Sequence, residues 1–290
     1  MDGIINILKP PGMTSHDVVN VVRRFTGVRR IGHTGTLDPG AAGVLPICVG
    51  KATRISEYVL GMDKSYRAEL SLGEATDTED AAGQVVLTKP VPVLSSHGVE
   101  QVLMSFLGLG TQLPPMYSAV RVNGKKLYEL ARRGEVVERQ PRKIQIYNIK
   151  LLKISDNTIL FDLCCSRGTY VRTLCREIAE NLGSVGHMSF LLRTAVGPFP
   201  LDSAVTFEEL AQFVEEGCII KALLPLDMAL AHMQAVTVDE SQAVRLRNGL
   251  AVMLGFIASD GELFRVYDSS QTFLAIAAAD RERIRPLKVF

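Results

Sequence analysis

Apolar residues recur along this chain in two rhythms, and the breaks between them mark out elements. IINIL (4–8) is a continuous apolar run that reads as a short buried strand. KPPGMTS (9–15) interrupts it as a turn, and Thr14 or Ser15 can cap a helix. Val18, Val19, Val22 and Phe25 then share one helical face, which Gly27 ends. A glycine-rich segment leads into a strand at 44–49, and KATRISEYVL (51–60) reads as a short helix. SYRAELSLG (65–73) and QVVLTK (84–89) alternate with a period of two and predict strands, joined by an acidic loop, EATDTEDAAG. Val99, Val102, Leu103 and Phe106 give 96–107 an amphipathic helical face.

SAVRVNGKKLYELARRG (118–134) predicts a strand, an Asn-Gly turn and a basic helix over 125–133 that stops at Gly134. RKIQIYNIKLLKI and TILFDLCC form a hairpin around Asp156-Asn157. SRGTY opens a helix over about 170–181, and HMSFLLRTAVG (187–197) is another strand. TFEELAQFVEEG (206–217) is a helix capped by Thr206, and LLPLDMALAH (223–232) is a connector. The last 58 residues carry strands at about 235–238 and 252–257, a helix at 239–247 and further strands. A unit that small is expected to lean on the body before it. Strands and helices do not alternate one for one. A mixed, mostly antiparallel α+β architecture therefore fits better than a doubly wound parallel sheet.

Composition narrows the chemistry. Apolar residues make up 47% of 290, enough for a sizeable core. No apolar run reaches the ~20 residues of a membrane helix, and the N-terminus lacks a signal pattern, so a soluble cytoplasmic protein is expected. The five cysteines are odd in number and include no C-x-x-C, which argues against a disulfide framework or a zinc ribbon. No phosphate loop, dinucleotide fingerprint or nucleophile elbow is present. Net charge is only +1, yet residues 121–153 hold ten Lys or Arg against three Glu. Such a strip is either a solvated face or a nucleic-acid footprint.

The densest glycine stretch, GHTGTLDPGAAG (32–43), holds one histidine and one aspartate. Its glycines let backbone approach a ligand closely, and Pro39 drives Asp38 toward an extended conformation. An Asp-Pro also initiates turns, and a loop histidine also serves as a hydrogen-bonding residue. By itself the segment leaves both readings open.

Five segments occur in order: LKPPGMTSHDVV (8–19), GHTGTLDPGAAGVLPICVGKATR (32–54), KSYRAELSLGEATDTEDAAG (64–83), LPPMYSAVRVNGKKLYELARRG (113–134) and CSRGTYVRTL (165–174). Together they closely resemble the bacterial tRNA pseudouridine-55 synthase family of the TruB type. The resemblance runs from residue 3 to about 210. It implies a pseudouridine synthase domain over 1–225, with a thumb-like insertion at about 111–142. The tail, 233–290, resembles more weakly a small β-rich PUA-like RNA-binding domain.

Carried over motif by motif, the resemblance implies that Asp38 is the catalytic aspartate and that His33 helps flip the target uridine. Tyr66 would stack on the flipped base and take part in proton removal, and Arg172 would pair with the Asp38 carboxylate. Tyr170 and Leu191 would contact the uridine, and Lys9 and Pro10 would support the active-site loop. Gly40-Ala41-Ala42, and Leu192 where a second arginine is common, depart from the pattern. Lys125, Arg132 and Arg133, read as neighbours on one helix, would touch RNA phosphates. The implied partner is the T arm of tRNA, with no guide RNA, cofactor, metal or membrane and with a monomeric enzyme. A guide-RNA-dependent synthase, a catalytically idle RNA-binding or folding protein and an acid–base hydrolase are the competing readings. The intact insertion, the intact Asp38, Tyr66 and Arg172, and the lack of a second hydrolytic group argue against them in turn.

Overall fold

A computed structural model describes residues 1–122 and 124–290. Its main sheet runs Gly3–Lys9, Ala42–Val49, Gly186–Val196, Lys64–Leu72, Thr158–Cys165, Arg142–Ser155, Gly108–Gln112. The contact between Ala42–Val49 and Gly186–Val196 is parallel, and the other steps along this path are antiparallel. The expected α+β fold is therefore present.

The hydrophobic pattern explains which faces are covered. Lys64–Leu72 buries alternate residues, among them Tyr66, Ala68, Leu70 and Leu72. They face Ile159, Phe161 and Leu163 of the next strand and lie under the helices Ser96–Met104 and Val171–Asn181. The opposite face of the same strands carries an exposed Arg67–Asp162 ion pair at 2.8 Å. Gly3–Lys9 and Ala42–Val49 are instead covered on both faces. Ile5, Ile7, Leu45 and Ile47 meet the helices Ser15–Thr26 and Phe207–Glu215, while Ile4, Val44 and Cys48 face the C-terminal tail. Cover on both sides is why IINIL reads as a continuous apolar run.

Local signals behave as their chemistry predicts. Thr14 caps Ser15–Thr26 through a reciprocal box with Asp17, and Gly27 closes that helix in the left-handed region. Thr206 caps Phe207–Glu215 in the same way. Asp156 and Asn157 turn the long hairpin.

Three expectations change. The segment 51–60 is a 3-10 turn over Gly50–Ile55 followed by a short helix, Ser56–Leu60. Val85–Thr88 pairs with Glu74–Thr76 from inside the acidic segment, outside the main sheet. The continuous helix over 125–133 does not form. Lys125–Lys126 is a short strand paired with Arg121–Val122, and the helix covers only Leu127–Ala131. The turn expected at Asn123-Gly124 includes Asn123, which lies outside the described residues.

The tail forms a five-stranded sheet in the order Gln234–Thr237, Leu263–Tyr267, Phe273–Asp280, Arg283–Val289, Val252–Met253. It does lean on the body. Ile276, Leu263, Phe273 and Phe290 share one apolar cluster with Ile4, Val44, Val59 and Val196.

Candidate active site

The site is built around the loop that follows His33. Lys9, with no exposed surface, donates from Nζ to the carbonyls of Pro10 (2.9 Å), Pro39 (3.2 Å) and Ala41 (2.6 Å). The Pro39 carbonyl also accepts from the Gly12 amide at 2.8 Å. On the other side, Ser15 Oγ accepts from the Leu37 amide at 2.9 Å. The turn carrying Asp38 is thus tied at both ends to the turn after the first strand. Burial lowers the Lys9 pKa to about 8, against the opposing attraction of Asp38.

Arg172, near the start of the helix Val171–Asn181, holds Asp38 through two contacts. Nε lies 2.9 Å from Oδ2 and Nη2 donates to Oδ1 at 3.3 Å. The same guanidinium donates to the carbonyls of Thr78 (3.0 Å) and Tyr117 (2.9 Å), with Asp80 at 3.8 Å. Arg172 is buried, whereas 36% of the Asp38 side chain still meets the opening. Enclosure by protein raises the Asp38 pKa, and the opposing pull of Arg172 does not cancel it. Asp80 adds to the rise.

The acidic segment is a clamp. Glu79, at φ 62°, accepts from Thr173 Oγ1 at 2.7 Å and from Arg176 Nε at 2.8 Å. These bonds press the Thr78 carbonyl onto Arg172. Tyr117, from the insertion, supplies the other carbonyl. Gln112, also buried, brackets the Tyr170 backbone, accepting from its amide at 2.7 Å and donating to its carbonyl at 3.1 Å.

Tyr66 is buried in the same apolar cluster as Leu37 and Leu191, and burial pushes its phenol up to about 12. His33 ends a short strand beside Ala42–Val49, and its Nδ1 accepts weakly from the Gly35 amide at 3.4 Å. Burial first, then Arg193 and His16, lowers its pKa and favours the neutral ring.

The structure brings Asp38, Arg172, Lys9, Pro10, Tyr66 and Leu191 together, with His33 and the Tyr170 backbone at the margin. Lys125, Arg132 and Arg133 are exposed on the insertion and, among the described residues, make no hydrogen bond or ion pair to this cluster. Sequence reasoning missed Arg193, Lys64, Glu79, Asp80 and Gln112. For Arg193 a signal existed: it falls two residues after Leu191 on an alternating strand, so a charge had to point inward.

This fold, with an aspartate gripped by a buried arginine beside a buried tyrosine, is that of a pseudouridine synthase. Residues 23–171 match the profile described as TruB family pseudouridylate synthase (N terminal domain). Residues 172–231 match tRNA pseudouridylate synthase B C-terminal domain, and 235–290 match Pseudouridine synthase II TruB, C-terminal. The chain belongs to the TruB family of pseudouridylate synthases and is an isomerase. It is 43% identical to the tRNA pseudouridine synthase B of Caldanaerobacter subterraneus subsp. tengcongensis, over 100% of this chain and 99% of that one. It is 44% identical to its namesake from Geobacillus thermodenitrificans over the whole of both chains. Among solved structures it resembles a chain of a Cbf5-Nop10-Gar1 complex, at 28% identity and a TM-score of 0.77, covering 99% of this chain and 84% of that one.

Proposed function

We propose that this protein converts a uridine of tRNA, position 55 in the T loop, to pseudouridine without a guide RNA, and that it does so as a monomer. The observation that carries the reading is the two-point grip of Arg172 on Asp38 beside Tyr66. Support for tRNA comes from full-length relatives at 43 and 44% identity named tRNA pseudouridine synthase B.

The base must leave its stack to reach Asp38, at a cost of a few kcal/mol. The neutral, half-buried His33 fills the space it vacates. Asp38 acts ionised on the ribose or the base, and Arg172 preserves that charge. The N1–C1′ bond breaks, the uracil turns, and a C5–C1′ bond forms. The Tyr66 oxygen takes the C5 proton as the phenol gives up its own, and N1 gains one proton for the one lost from C5, so the net change is an isomerisation. Leu191 and Tyr170 border the base, and the insertion and the tail (233–290) hold the RNA.

The test incubates the purified protein alone with an unmodified tRNA transcript and maps pseudouridine by mass spectrometry. One pseudouridine at position 55 is expected. Product formed only with added RNA or partner proteins would favour the guide-dependent reading, the kind of assembly named for the H/ACA RNP structural relative at 25% identity.

A further inference from the structure

Arg193 is the largest side chain in the protein with almost no exposed surface. Among the described residues it has no carboxylate within ion-pair distance, so its charge is met by dipoles instead. Nε donates to the Val44 carbonyl at 2.7 Å and Nη2 to the Gly35 carbonyl at 3.2 Å. Burying a guanidinium this way is costly, and a protein that needed only packing there would use an aliphatic residue.

The sheet aims this charge at the site. Arg193 and Tyr66 are directly opposed on adjacent antiparallel strands, a register that puts both side chains on one face. That pairing sets the guanidinium beside the Tyr66 side chain, where the two are electrostatically coupled. On its other flank Arg193 is paired in parallel with Gly43, at φ 114°, where an added Cβ would lie 2.2 Å from the Arg193 carbonyl oxygen. Close backbone approach at Gly43 therefore holds the Arg193 strand against the Asp38 loop. Gly35, whose carbonyl Arg193 takes, follows His33 by two residues. One guanidinium thus joins the strand carrying Tyr66, the loop between His33 and Asp38, and the strand entered after that loop.

We propose that Arg193 is a positioning residue for the isomerisation: it fixes the Tyr66 ring against the His33–Asp38 loop and stabilises negative charge on the Tyr66 oxygen while the C5 proton is in transit. The proposal rests on the reading in which Tyr66 takes part in that transfer. Lys64 and Lys9 are further buried cations near Arg193, but their amines are committed to backbone carbonyls: Leu60 and Met62 for Lys64, and Pro10, Pro39 and Ala41 for Lys9. Among these three cations, Arg193 is the one paired directly opposite Tyr66 on the neighbouring strand.

The experiment uses Arg193→Lys, which keeps charge and most of the volume but loses the fork. At saturating tRNA, kcat is expected to fall about 100-fold, as when one oriented donor is removed, with KM changed far less. Both proteins are then prepared with their seven tyrosines replaced by the more acidic 3-fluorotyrosine. If Arg193 stabilises charge on the Tyr66 oxygen, the substitution restores Arg193→Lys by several-fold more than it changes the wild type. Equal effects in both backgrounds, or a loss confined to KM, would overturn the proposal and leave Arg193 a structural residue. Should Arg193→Lys fail to fold by circular dichroism, Arg193→Gln carries the same comparison. Wild-type turnover in the same assay tests the tRNA reading separately: an inactive wild type sinks that reading, whereas an active wild type with no differential rescue sinks only the role of Arg193.

Discussion

Asp38 carries two opposed demands. Catalysis asks for its anion, while enclosure raises its pKa above the ordinary 3.8. The ionised form is then the costly one in the folded state. Stability tied to Asp38 is fully present below the ordinary carboxylate value and is lost as pH rises through the higher folded value. Asp38→Asn cannot ionise, so at pH 8 its melting temperature is expected to equal or exceed that of the wild type, with the gap closing on acidification. Turnover in Asp38→Asn should be absent while tRNA binding persists, and the acid limb of the wild-type kcat/KM profile should lie above the usual aspartate range. A wild type more stable than Asp38→Asn at pH 8 would mean that the Arg172 pairing outweighs burial. Arg172 itself should not tolerate lysine. A single ammonium cannot span both Asp38 oxygens and the carbonyls of Thr78 and Tyr117. Arg172→Lys is therefore expected to lose about 100-fold or more in kcat, and near-normal turnover would show that charge alone suffices.

Among the elements, legibility followed how local the determining physics was. Thr14, Gly27, Thr206 and the Asp156-Asn157 turn act within a few residues, and each element they bound was readable. The resemblance supplied Asp38, Tyr66 and Arg172, but not the partners that hold them. Glu79 and Asp80 read only as part of an acidic loop because their cations, Arg172 and Arg176, lie more than 90 residues away in the chain. The insertion misled in another way. Lys125, Arg132 and Arg133 were expected as neighbours on one helix, yet Lys125 and Lys126 lie in a strand, where neighbours point to opposite sides. Lys126 and Arg132 instead flank the Tyr128 ring, at 5.3 and 5.5 Å from its centroid. Because both sit at the Tyr128 ring, Lys126 and Arg132 are the pair to test for phosphate contact. Replacing both with alanine should lower the slope of log K against log salt by roughly 0.7–0.9 for each phosphate no longer neutralised. Affinity should fall similarly for different T-arm sequences, because cations on phosphates position the RNA without reading it. An unchanged slope would make this face of the insertion a solvated one.

At the scale of the whole molecule, the tail decides how RNA binding and stability can be separated. Residues 233–290 resemble an accessory RNA-binding unit, so removing them should weaken tRNA affinity and leave the modified position unchanged. The packing gives the expected leaning of the tail on the body a cost of its own. The tail's Leu263, Phe273, Ile276 and Phe290 cover Ile4, Val44, Val59, Val196 and Leu230 of the body. Arg54 lies over the Phe290 ring at 5.6 Å, and Lys288 pairs with Glu57. Truncation therefore uncovers a shared core. Exposing even two large side chains costs about 3 kcal/mol or more, roughly 6–12 °C in melting temperature for a protein of this size. A truncated enzyme assayed at 37 °C would mix weakened affinity with partial unfolding. The two separate if the truncation is studied well below its own melting temperature. There kcat at saturating tRNA should stay close to the full-length value, because Asp38, Arg172, Tyr66 and Arg193 all precede residue 233, and the deficit should fall in KM. Point substitution of the exposed tail arginines Arg281, Arg283 and Arg285 to alanine, which leaves the shared core in place, should raise KM without moving the melting temperature. A truncation that melts like the full chain would refute the shared core. Arginine variants with unchanged KM, together with a truncation of unchanged affinity, would remove the tail from RNA binding.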